Sequence, residues 1–285
     1  MINNKSSLAL DFWHSGRLDD CPILDFHGHM HVYSGIYFPA AGPQCMIKTM
    51  ERCNSKLTIF CSHLPLLESA DFEEEYNLNT VKKYPEYFLA YHSIMPGVTD
   101  FDDTIDRFEK NKEYYFGFKF HPDSHLTPIT DNYYAPFLEY ISANKLPALI
   151  HTWGHSPYNG VDEIKEIAGK YTDAIFICGH CFHDDWLRGT ELASDYPNLI
   201  YELTAVTDNY GVIEMLCEKV GSERILFGTD LPWFDTHQGI GAVLSADIND
   251  DDMRNIFYRN GIKLLENQAP GLSEKYINYN ALIYN

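Results

Sequence analysis

Eight short apolar runs set the frame of this chain: Ile23 to His27, Leu57 to Cys61, Tyr87 to Ile94, Phe116 to Phe120, Pro147 to His151, Ala174 to Cys178, Leu199 to Thr204 and Ile225 to Gly228. They begin roughly 25 to 35 residues apart, the rhythm of repeated βα units. Rich in Ile, Leu, Phe and Val without strict polar alternation, they read as strands of a sheet covered by helices. The segments between them carry helical spacing: Met46, Met50 and Cys53 after Pro43; Phe101, Ile105 and Phe108 after Asp100 as N-cap; Ile164, Ile167 and Ala168 after the turn at Asn159-Gly160; and Val212, Leu216 and Val220. Alternating βα units predict an α/β fold with a parallel sheet, and eight of them close a distorted (β/α)8 TIM barrel. A length of 285 residues suits one such barrel, so residues 1–285 are expected to form a single domain. From about residue 266 the tail turns rich in Asn and Tyr, with Tyr276, Tyr279 and Tyr284, and is expected to pack on the barrel or on a neighbouring subunit.

Twelve of the thirteen histidines fall at or just past the carboxyl ends of these runs, and His14 alone lies outside the pattern. That end of a barrel is where its chemistry is built; the other end serves stability. The first run ends Asp25-Phe26-His27-Gly28-His29. In a strand, residues i and i+2 share a face, so His27 and His29 converge, and Asp25 lies one step deeper, placed to support a ligand histidine or strand packing. The fifth run ends in His151, the sixth leads to Cys178-Gly179-His180, and the eighth leads through Gly228-Thr229 to Asp230. Imidazoles with one carboxylate around an open position suit zinc or a similar divalent ion that activates water, and Asp230 is then the candidate base.

Forty-one acidic residues against 21 basic ones give a formal charge of −20, spread along the chain. Such a surface repels nucleic acid and anionic membranes, so neither is an expected partner. No stretch approaches the roughly 18 apolar residues of a membrane span, and Met1 to Trp13 is too short and too poorly flanked for a secretory signal. A cytoplasmic location is expected, with seven cysteines kept as reduced thiols. Cys178 and Cys181 form one C-x-x-C, weak as a zinc or redox motif without a second pair. Met30 to Pro43, with Tyr33, Tyr37 and Phe38, reads either as a pocket wall or lid or as a plain surface loop.

The ordered set Asp25-Phe26-His27-Gly28-His29, Gly117-Phe118-Lys119-Phe120-His121-Pro122, His151, Cys178-Gly179-His180 and Ile225 to Trp233 resembles the amidohydrolase superfamily, in its amidohydrolase-related branch that also holds metal-dependent decarboxylases. The resemblance implies His27, His29, His151 and Asp230 as ligands of one divalent ion, with zinc expected. It implies for His180 a second ion, or a role as acid, base or electrophile. Lys119 is either carboxylated, bridging two ions, or an ammonium that pairs with a substrate carboxylate; the Lys-x-His-Pro context resembles the mononuclear branch and favours the ammonium. Glu202 and Thr204 share a face, placed to orient a histidine from behind or to contact substrate, the first being favoured. His31, His63, His92, His125, His155, His183 and His237 are expected to make hydrogen bonds at the rim, and His121 shares parity with Lys119.

The leading expectation is metal-dependent hydrolysis of an ester, lactone or amide-like bond in a small, anionic molecule, with Asp230, His180 and Lys119 as catalytic residues. Non-oxidative decarboxylation of an unsaturated or aromatic acid is the alternative. A metal-dependent deoxyribonuclease also begins with H-x-H, but Lys119 stands where a glutamate is expected and the charge is wrong for nucleic acid. A catalytically silent scaffold would not need this set of residues. The sequence leaves homo-oligomer formation open.

Overall fold

The computed structural model describes residues 6–33, 35–64, 70–206 and 209–277. Eight parallel strands follow one another in a single sheet in chain order: β1 (Ile23–Met30), β2 (Ser55–Ser62), β3 (Phe88–Ile94), β4 (Tyr115–Phe120), β5 (Pro147–Trp153), β6 (Ile175–His183), β7 (Leu199–Glu202) and β8 (Ile225–Leu226). Each expected run lies on one of them. Helices follow the strands as the apolar spacing requires: Met46, Met50 and Cys53 are buried on the helix Pro43–Cys53, and Ile164, Ile167 and Ala168 on Val161–Lys170. The Asp100 side chain caps Phe101–Lys110 by accepting from the Asp103 backbone N–H. No helix among the described residues is long and apolar enough to cross a membrane.

β8 is only two residues long, so closure depends on the segment after it. Phe26 donates to the Phe227 carbonyl (2.9 Å), Asp230 to that of His27 (2.7 Å), and His29 to that of Leu231 (2.7 Å). Asp25 adds a side-chain staple, accepting from the backbone N–H of His27 (3.0 Å) and from the backbone and hydroxyl of Thr229 (3.1 and 2.6 Å). It thus ties the His27 backbone to the segment after β8, consistent with both supporting roles that its depth on β1 suggested. Burial without a counter-charge pushes this carboxyl up to about 8, although the Thr229 hydroxyl opposes the shift. The register slips at β1–β2, β3–β4 and β5–β6, which distorts the barrel.

The core has two layers, and β4 shows how they divide. Phe118 stacks outward against Phe108 of the helix Phe101–Lys110, with ring centroids 4.5 Å apart, so its neighbour Lys119 faces the lumen. His92 is corrected by the same logic. It lies not at the rim but beside Phe108, Tyr115 and Phe118, buried, with neither ring nitrogen in a hydrogen bond of normal geometry. In the tail Tyr276 and Ile277 are buried, while Tyr279 and Tyr284 lie outside the described residues.

Candidate metal centre

His27 and His29 project from one face of β1, and both are buried. His27 Nδ1 lies 2.7 Å from Glu202 Oε2 of β7, a contact in which the Nδ1–H tautomer donates to the carboxylate and Nε2 is turned towards Lys119 and Asp230. His29 Nδ1 faces Cys61 of β2, through its backbone and through Sγ at 3.3 Å, which turns Nε2 the other way. Asp230 enters from beyond β8 with a left-handed backbone (φ 59), a conformation costing roughly 1–2 kcal/mol for a side chain of this kind. Its Oδ1 sits 3.0 Å from His29 Nε2 and 3.4 Å from His27 Nε2, and makes no hydrogen bond. One ligand atom from each of these three residues lies within 4.8 Å of the others.

Burial holds both imidazoles well below their ordinary pKa, hence neutral, so two nitrogen lone pairs confront a carboxylate oxygen. Acceptors converging in a dry site are unfavourable unless a cation or donor joins them; Lys119 Nζ reaches His27 Nε2 at 2.8 Å, and Asp230 Oδ1 is left without a hydrogen bond. Two neutral imidazoles and a carboxylate are a donor set for a divalent ion, and the residues therefore fit one.

Lys119 reaches this group from β4, its Nζ 2.8 Å from His27 Nε2, and is fully buried. Burial lowers its pKa, with Cys61, Asp230 and Glu202 pulling the other way. The His180 ring stands 5.0 Å from that of His27, and its Nδ1 is buried without a partner. His151 is brought beside His180 (4.5 Å between rings) but not into the group of three. The reason is physical: its ring lies face to face with His121 at 4.0 Å and with Trp153 at 5.7 Å, while its Nε2 faces Asp123 Oδ2 at 3.7 Å. Asp123 is itself fixed by Ser156 and Asn159, each at 2.6 Å.

Two aromatic walls flank the centre. On one side His63 stacks on His29 (5.0 Å) and Phe38 (5.5 Å), donates to the His31 carbonyl (2.7 Å) and accepts from Trp233 Nε1 (2.9 Å). Tyr33 joins this box against Trp233 at 5.2 Å, while Tyr37 of the same loop is exposed. On the other side Trp153 stacks on His183 at 4.2 Å. Asp123 and the His63–Trp233 bond were not evident from sequence; the only signal was their position just past strand ends. Cys178 and Cys181 are buried apart from the three-residue group, and the Cys181 thiol donates to the Glu202 carbonyl (3.0 Å).

The amidohydrolase family model matches residues 67–266. The chain belongs to the amidohydrolase family. Members of this family are enzymes acting on small molecules, and the matched span begins after the H-x-H of β1. No curated protein matches the sequence significantly. Among solved structures, an uncharacterized TIM-barrel protein from Bordetella bronchiseptica superposes with a TM-score of 0.72 at 16% identity, over 87% of this chain and 99% of its own. The 2,6-dihydroxybenzoate decarboxylase from Rhizobium gives 0.65 at 13% identity, over 86% and 98%. The 5-carboxyvanillate decarboxylase from Novosphingobium aromaticivorans, solved with manganese and a nitrobenzoic acid ligand, gives 0.65 at 12%, over 86% and 96%. At these identities the likeness is one of fold.

Proposed function

We propose that this amidohydrolase is a metal-dependent hydrolase of an ester, lactone or amide-like bond in a small anionic molecule. The observation that carries the reading is the convergence of His27 Nε2, His29 Nε2 and Asp230 Oδ1 with no donor of normal hydrogen-bond geometry on the carboxylate oxygen. His27, His29 and Asp230 would hold the ion, zinc or another divalent metal, with His151 as the fourth ligand expected from the family. Bound there, such an ion supplies Lewis acidity and lowers the pKa of its water from about 15.7 towards 7. The Asp230 carboxylate, holding the ion through one oxygen, would take up a proton from the attacking water on the other. His180 stands beside His27 and presents the unpartnered Nδ1 to the leaving group as acid, and Lys119 Nζ balances negative charge that develops on the substrate.

Decarboxylation is the second reading, supported by the decarboxylases among the structures of like fold and by the stacked rings of Trp153 and His183, which suit a planar conjugated acid. In that case Lys119 pairs with the substrate carboxylate and His180 supplies the proton that replaces carbon dioxide. A panel of lactones, esters and aromatic acids run in 18O-labelled water decides between them. Hydrolysis incorporates the label into a new carboxylate, whereas decarboxylation releases carbon dioxide without consuming water. Carbon dioxide release without label in the remaining product would overturn the hydrolytic reading.

A further inference from the structure

The mechanism above uses His27 and His180 but leaves unexplained a fully buried acid that touches both. Glu202 closes β7, and its carboxylate meets four donors: His27 Nδ1 (2.7 Å) and the His180 backbone N–H (3.4 Å) at Oε2, and the backbone N–H and hydroxyl of Thr204 (both 2.6 Å) at Oε1. Four donors match the roughly four lone-pair sites of an ionised carboxylate, so their hydrogen bonds favour that form against the burial that pushes this carboxyl up to about 8. The surroundings are shaped to admit it. A side chain at Gly228 would overlap the Glu202 carboxylate and crowd the His27 Cβ at 2.9 Å, and one at Gly179 would come within 3.2 Å of His27 Cε1. The glycines of Cys178-Gly179-His180 and of Phe227-Gly228-Thr229-Asp230 thus leave room for one carboxylate and one ring.

The backbone that carries His180 needs such an anchor. His180, Cys181 and Phe182 are left-handed in succession, with φ of 66, 50 and 61, and none is glycine. Isolated residues visit this region; a run of three persists only where neighbours over-determine it. Here the His180 N–H is held by the Glu202 carboxylate, the Cys181 thiol by the Glu202 carbonyl, and the Phe182 N–H by Thr152 Oγ1 at 3.0 Å.

We propose that Glu202 is a positioning residue for both histidines: its carboxylate fixes His27 as the Nδ1–H tautomer with Nε2 unprotonated, and it anchors the left-handed turn that presents His180. The inference rests on reading His27 as a metal ligand, and goes beyond it by making one buried acid the link between ion binding and the proton donor. Glutamine in its place offers one acceptor and one NH2 to four donors. Its NH2 satisfies His27 only if the ring switches tautomer, which puts a proton on Nε2 and blocks that atom as a ligand.

The test uses metal-free protein with 15N-labelled histidine, His27 being assigned by its loss in His27→Gln. In wild type the ring should show Nδ1–H with an unprotonated Nε2. In Glu202→Gln, checked for folding by its near-UV circular dichroism, it should shift towards Nε2–H, and the His180 amide proton should move upfield. The affinity of the same protein for Mn2+, read from the free-ion electron paramagnetic signal, should fall about ten- to a hundredfold. A wild-type ring already in the Nε2–H form overturns the proposal whether or not the variant folds. So does a folded Glu202→Gln that keeps both tautomer and Mn2+ affinity. Wild-type protein that binds no Mn2+ overturns the metal reading instead, and the two failures stay separable because the tautomer is read without an ion.

Discussion

On the β1–β8 side of the barrel mouth each histidine has one nitrogen pinned, His27 by Glu202 and His29 by Cys61, so that the other nitrogen of His29 faces Asp230 and that of His27 faces Asp230 and Lys119. On the β4–β6 side the rings of His121, His151, Trp153 and His183 lie face to face, and the His180 Nδ1 is left without a partner. Hydrogen bonds to a carboxylate fix direction to within a few tenths of an ångström, whereas stacking fixes a plane and leaves its members free to slide. In the function proposed above, the first side would hold a small cation in one place, and the second would receive a flat or variable group beside it and hand over a proton.

The largest test of that division is Asp230→Asn. Turnover should fall by roughly a thousandfold or more, and Mn2+ binding should weaken with it, because one substitution removes both an anionic ligand and the proton acceptor. Activity close to wild type would show that the β1–β8 side is not the reaction centre. His180→Gln probes the opposite side and should divide the two properties: turnover drops by about a hundredfold or more while the affinity for Mn2+, measured by the same titration, stays within a few-fold. Equal losses in both would mean that the two sides act as one metal site, and the comparison would dissolve.

A histidine that belongs to neither side sharpens the contrast. His92 is packed among Phe108, Tyr115 and Phe118, and burial holds its pKa at about 4. Between pH 6.5 and 4 the unfolded chain takes up a proton there that the folded chain refuses, so its stability contribution is intact above 6.5 and is lost as pH falls. At pH 5 the loss is about 2 kcal/mol at 1.36 kcal/mol per pH unit. His92→Leu should therefore unfold in urea with a shallower decline in stability from pH 7 to pH 5, by about that amount, and with catalysis unaffected. An unchanged pH slope would show that His92 does not contribute to the acid sensitivity of this protein.

Much of this arrangement was legible in the chain. Apolar runs bounded by turn signals located all eight strands, since a strand buried on both faces must be apolar throughout and cannot be long. Alternation along β1 placed His27 and His29 together and Asp25 behind them, and the shared face of Glu202 and Thr204 suggested a supporting role that the 2.7 Å contact with His27 fits. His92 was misplaced at the rim because position along a strand gives distance from its end, while the face it occupies depends on register with neighbours. That register slips between Ala90 and Tyr91, where β3 meets β4.

What the sequence determined by itself was the set of groups delivered to one end of the barrel, because strand order and side-chain alternation are local properties of the chain. What only the tertiary structure decided was which nitrogen of each ring faces the centre, that Lys119 approaches His27 from across the lumen, and that His151 lies against His121 and Trp153. Those outcomes depend on carboxylates and rings from strands far apart in sequence, brought within hydrogen-bond reach only when β1 and the segment after β8 close the barrel.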